Sequence, residues 1–129
     1  MNIRRIVLDT NVLVSAMLSP DGNPAKIYKL FLTGALSLFL SADIMIEYQD
    51  VLHRPRLRIP PNDADIVLAA IGQHGEIIEV TPSAHAIADE DDRVFYDTAK
   101  SADAYLITGN IKHYPKELFI VTPTEFLSL

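Results

Sequence analysis

With 129 residues, 49% of them hydrophobic, the chain is the size of one ordinary domain and has enough apolar content to build its own core. It contains no cysteine, which excludes disulfides, thiolate zinc sites and a thiol nucleophile, and points to the cytoplasm. A net charge of −6 argues against a general polyanion-binding surface, but the charge is uneven: "HRPRLRIPP" at 53–61 is basic and "ADEDDRVFYD" at 88–97 is acidic.

In chain order, "IRRIVLD" is a β-branched apolar run that predicts a buried strand at 3–9. That run stops at Asp9, too short for a signal peptide and far short of the ~20 apolar residues of a membrane span. "NVLVSAMLS" follows with helical apolar spacing, and "SPDGNP" reads as a loop. Pro24 suits the first turn of a second helix through "AKIYKLFLTG", which Gly34 ends. "LSLFLS" predicts a second strand, and Ser41 an N-cap for a helix through "ADIMIEYQDVLHR" that stops at Pro55.

After a proline-rich loop, Asn62 or Asp63 is expected to cap a helix through "ADIVLAAIGQ", closed near Gly75. "EIIEV" predicts a third strand. "ADEDDRVFYDTAKSADA" opens on acids, which the positive end of a helix favours, and continues with helical spacing. "YLIT" is a fourth strand, "NIKHYP" a loop, "FIV" a fifth strand and "PTEFLSL" a last turn. No repeat or low-complexity segment appears. Strands alternating with helices predict a parallel sheet covered on both faces, in one domain spanning 1–129. Sites in such folds lie beyond the carboxyl ends of the strands, here near Asp9–Asn11, Ser41–Glu47 and Thr108–Asn110.

Three acids fall in those places. Asp9 closes the first strand, where it serves either as a metal ligand or as the N-cap of the next helix. Glu47 shares a helical face with Ile44 and Val51, so its charge needs a partner, whether a cation or one of the arginines. Asp92 shares a face with Phe95, Tyr96 and Ala99 and projects from the first turn of a packed helix, whereas Asp97 falls on another side. Oxygen ligands of this kind suit magnesium or manganese, and a divalent ion among clustered carboxylates favours phosphodiester hydrolysis. No GxxxxGK[ST] loop, GxGxxG turn or GxSxG elbow occurs, and His53, His74, His85 and His113 lack ligand-like spacing. Asn11, Ser15 and Thr108 are candidates for orienting a carboxylate or a water.

"IVLDTNVLVSA", "IEYQDVLHRP" and "DDRVFYDTAKSADAYLITGN", in that order and with a closing "VTPTEFL", resemble the PIN-domain ribonucleases, in particular the toxins of prokaryotic toxin–antitoxin modules. The resemblance spans nearly the whole chain. It implies a three-layer α/β/α sandwich around a mainly parallel sheet of about five strands. It also implies Mg2+- or Mn2+-dependent endoribonuclease cleavage of single-stranded RNA, with an antitoxin partner and a homodimer among the expected associations and no membrane contact. By position, Asp9, Glu47 and Asp92 match the family's first three acids, as catalytic residues and metal ligands, and Thr108 its orienting hydroxyl. Asn110 stands where a fourth acid is usual. That departure removes one negative charge, for which Asp97 is the candidate replacement, and it motivates an alternative: a PIN-like module that binds RNA or an antitoxin without cleaving. Arg54, Arg56, Lys112 and His113 are candidate contacts to the RNA backbone.

Overall fold

A computed structural model describes residues 3–85, 87 and 89–129. The first strand, β1 (Arg4–Leu8), is followed by α1 (Thr10–Leu18), α2 (Asn23–Leu32), β2 (Leu36–Leu40) and α3 (Ala42–Leu52). A single 3-10 turn at Pro55–Leu57 leads to α4 (Pro61–His74) and β3 (Glu76–Ile77). Next come α5 (Glu90–Ala102), β4 (Tyr105–Ile107), a second 3-10 turn at Ile111–His113, β5 (Ile120–Val121) and α6 (Pro123–Leu127).

All four strand pairings are parallel, and the sheet order is β3-β2-β1-β4-β5. Successive side chains of a strand point to opposite faces, so burial of consecutive residues means that both faces are covered. Ile6, Val7 and Leu8 are all buried, as are Leu38, Phe39 and Leu40. The helices provide the cover: α5 packs on β1, β2 and β4, and α2 packs on β2 and against α1 and α6. The expected α/β sandwich is thus present, with six α-helices among the described residues. None of these helices is long and apolar enough to cross a membrane.

Local chemistry sets the boundaries of the helices. Gly34 adopts φ +83°, and Ala35 N–H reaches back to the Leu30 carbonyl, so glycine's tolerance of the left-handed region ends α2. Ser41 caps α3 by accepting from Ile44 N–H at 3.1 Å. Asp89 caps α5 by accepting from Asp91 N–H at 3.0 Å, and the three acids of the first turn follow it. The Ala88 that opens the acidic stretch lies outside the described residues. A capping box between Thr122 and Glu125 starts α6.

Three expectations need correction. Neither Asn62 nor Asp63 caps α4, which begins earlier, at Pro61. Proline has no N–H to lose at the first helical position, and the Pro60 carbonyl takes the first bonds, from Asp63 and Ala64 N–H. "EIIEV" pairs only through Glu76 and Ile77, both exposed at a sheet edge, before Ile78 N–H makes a last bond to the Leu40 carbonyl. "FIV" likewise pairs as strand only at Ile120 and Val121. Edge strands have neighbours on one side only and are commonly short.

From β1 the chain winds outward through β2 to β3, then returns to the other side of β1 with β4 and β5. The order reverses between β1 and β4, and a crevice opens at the carboxyl ends of strands at such a point. Leu8 pairs with Ile107 as the last residues of the two strands, and Asp9 N–H donates to the Ile107 carbonyl at 3.0 Å. Asp9 and Thr108 therefore emerge side by side.

Candidate active site

Asp9 is 5% exposed, and its carboxylate does not cap α1 although it occupies the N-cap position. Instead its Oδ2 accepts from Thr108 Oγ1 at 2.8 Å and from the Tyr114 hydroxyl at 3.1 Å. Thr108 is itself oriented by Asn110 N–H, which donates to Oγ1 at 2.9 Å. Both hydroxyls hold the same oxygen of Asp9. No lysine, arginine or histidine pairs with this buried carboxylate among the described residues.

Glu47 sits beside the buried stripe of α3, which runs through Ile44, Tyr48 and Leu52, while Val51 is half-buried. The Thr10 hydroxyl donates to Glu47 Oε2 and joins the start of α1 to α3. The arginine alternative does not hold nearby, because Arg54 pairs with Asp50 at 2.7 Å. The Tyr48 hydroxyl donates to the Leu8 carbonyl, which pins α3 to the end of β1.

Asp92 projects from the first turn of α5, with Phe95, Tyr96 and Ala99 buried along the same face. Burial first, then the charges of Asp9 and Asp89, push the Asp92 carboxyl above the usual aspartate range, opposed by His113. Its Oδ2 is buried without a hydrogen-bond partner. His113 Nδ1 stands 3.4 Å away, close enough for attraction when the ring is protonated but too long for a good hydrogen bond.

Tyr114 was not singled out from the sequence. It is buried, and its hydroxyl is surrounded by the charges of Asp9, Asp92 and Glu47; burial and these anions raise its pKa far above the phenol range. The phenol is therefore a permanent donor. Pro115 explains its placement, since the residue before a proline is pushed to extended backbone and Tyr114 has φ −116° and ψ 158°. That conformation ends the second 3-10 turn and returns the ring to the crevice.

The remaining candidates are scattered. Asn11 and Ser15 lie exposed on α1, and neither side chain hydrogen-bonds to the acids; Thr10 makes that contact. Asn110 contributes its backbone N–H, while its half-buried amide makes no hydrogen bond among the described residues. Asp97 is 4% exposed with Oδ1 unpartnered, but it lines a different cleft, with Ser41, Asp43 and Arg93. Arg56 and Lys112 are exposed, and Arg54 is engaged by Asp50.

The donor set is all oxygen, which suits a hard divalent cation. Among the described residues no three acidic or imidazole side chains converge as a ready-made metal cage. Magnesium does not require one, since it keeps several waters and commonly takes one or two carboxylates directly. The orphaned Asp92 Oδ2 and the Asp9 oxygen left free by the two hydroxyls fit that mode of binding.

On this parallel α/β sandwich, with Asp9 emerging where the strand order reverses, the PIN-domain family profile matches residues 5–112. The chain belongs to the PIN-domain family, a family of nucleases. Among individual proteins it is similar to an uncharacterized protein of Methanocaldococcus jannaschii, with 32% identity over 138 aligned positions covering 95% of this chain and 89% of the relative.

Proposed function

We propose that the chain is a Mg2+- or Mn2+-dependent endoribonuclease that cleaves single-stranded RNA, and that it acts in the cytoplasm as the toxin of a toxin–antitoxin pair. One observation carries the nuclease reading: the carboxyl group of Asp9 is buried, and among the described residues the side chains that bond it are two neutral hydroxyls with no basic partner. A buried anion without a basic partner is expensive, and a bound cation removes the expense.

Asp9, Glu47 and Asp92 are the residues that would hold the ion, Glu47 being anchored by Thr10. When bound, the ion supplies a more acidic water and neutralises charge on the phosphate. Thr108 keeps Asp9 from rotating out of the crevice. Lys112 and His113, on the turn beside Asp92, are candidates to contact the RNA backbone, with Arg54 and Arg56 farther along from α3. The toxin role is supported by the extended motif resemblance; the partner would be a small antitoxin, and the working unit a homodimer.

The test is cleavage of end-labelled single-stranded RNA in Mn2+ by wild type and by Asp9→Asn, with calorimetric titration of the ion. The wild type is expected to bind and cleave, and the variant to lose on the order of a hundredfold or more in rate. Equal activity of the two, or no ion binding by wild type, overturns the enzyme reading. A second reading, a module that binds RNA or an antitoxin without cleaving, is motivated by the neutral Asn110; binding of RNA without cleavage by wild type would select it.

A further inference from the structure

We infer that Tyr114 is a positioning residue for the Asp9 carboxylate, a neutral donor that grips one Asp9 oxygen and so sets which oxygen faces the cation. The inference rests on the reading of Asp9 as an ion ligand. Three observations support it. Tyr114 is buried, and its hydroxyl lies 3.1 Å from Asp9 Oδ2, the oxygen that Thr108 also holds at 2.8 Å. A carboxylate gripped at one oxygen by two donors from separate points of the loop after β4 has lost its rotation, and its other oxygen is presented in one direction. Pro115 fixes the backbone that delivers the ring, so the donor is built into the loop after β4.

The chemistry distinguishes this phenol from a fourth carboxylate at the same crevice. A carboxylate would add a ligand and a negative charge; the phenol adds a hydrogen bond and no charge. With Asn110 neutral as well, the loop after β4 contributes donors to the site and no anion. Tyr114 is thus no ligand itself and acts through Asp9.

The test is Tyr114→Phe, which keeps the ring and removes the donor. Mn2+ binding by calorimetry and RNA cleavage are measured on wild type and variant, with thermal unfolding of both in chelator. Mn2+ affinity is expected to fall about tenfold, the lower end of what losing such an orienting partner costs, with kcat falling and KM for RNA unchanged. Placing 4-aminophenylalanine at position 114 restores an N–H donor on the same ring and is expected to recover most of the affinity. Equal Mn2+ affinity in wild type and the Phe variant overturns the role of Tyr114 and leaves the nuclease reading intact. A Phe variant that does not fold, or no rescue by the amine, assigns the hydroxyl to the scaffold and also overturns it. A wild type that binds no Mn2+ overturns both together.

Discussion

The Thr10 hydroxyl donates to the Glu47 carboxylate across 37 residues of sequence, tying the first turn of α1 to the middle of α3 beside the end of β1. Glu47 is only half-buried, so water replaces the lost bond when Thr10 is changed to valine, and the cost to stability is expected to stay near or below about 1 kcal/mol. The orientation of Glu47 is not replaced by water. Cleavage by Thr10→Val is expected to slow about tenfold with the fold retained, as read by single-turnover kinetics and urea unfolding.

Asn110 gives a prediction of opposite sign. Its backbone N–H, not its amide, serves Thr108, so Asn110→Asp leaves that bond in place and adds a carboxylate two residues beyond Thr108. Mn2+ affinity is expected to rise on the order of tenfold with the added ligand charge. Weaker binding in calorimetry would remove Asn110 from the site.

Asp92 ties stability to pH. Its carboxyl in the folded chain ionises at a higher pH than in the unfolded chain, because burial and the anions Asp9 and Asp89 oppose its charge. Between those two pKa values the folded state holds more protons than the unfolded state, so stability falls as pH rises through the window, and is greatest below it. Asp92→Asn removes the ionisation. Urea unfolding in chelator is expected to show the variant more stable than wild type at neutral pH and less sensitive to pH within that window; equal pH profiles would contradict this.

A last prediction concerns the scaffold. A Cβ on Gly75 would stand 2.6 Å from the Ile71 carbonyl oxygen and 3.1 Å from Leu40 Cδ2, at the point where α4 turns into β3. Backbone on one side and a β2 core side chain on the other leave little room to give. Gly75→Ala is expected to destabilise by about 1–3 kcal/mol in denaturant titration, with divalent-ion affinity unchanged once folded.

By itself the sequence determined the elements, their alternation and hence the parallel sheet, because apolar period and turn residues act within a few positions of chain. The same local rules located Asp9 at a strand end, Ser41 as a cap and Asp92 on the buried face of an acidic helix start. Where they misjudged boundaries, at α4 and at the two edge strands, a proline or a missing neighbour strand was responsible.

Only the tertiary structure decided how the acids are held. Asp9 is bonded by Thr108 and Tyr114, 99 and 105 residues away in sequence, and contacts at that distance leave no periodic trace. Position alone assigned Asn110 a share in the acid cluster and Asp97 the missing charge; folding gave Asn110 a backbone role and turned Asp97 into a separate cleft. The physical reason is that a residue's type fixes what it can donate or accept, while its partner is set by which chain ends the sheet order brings together.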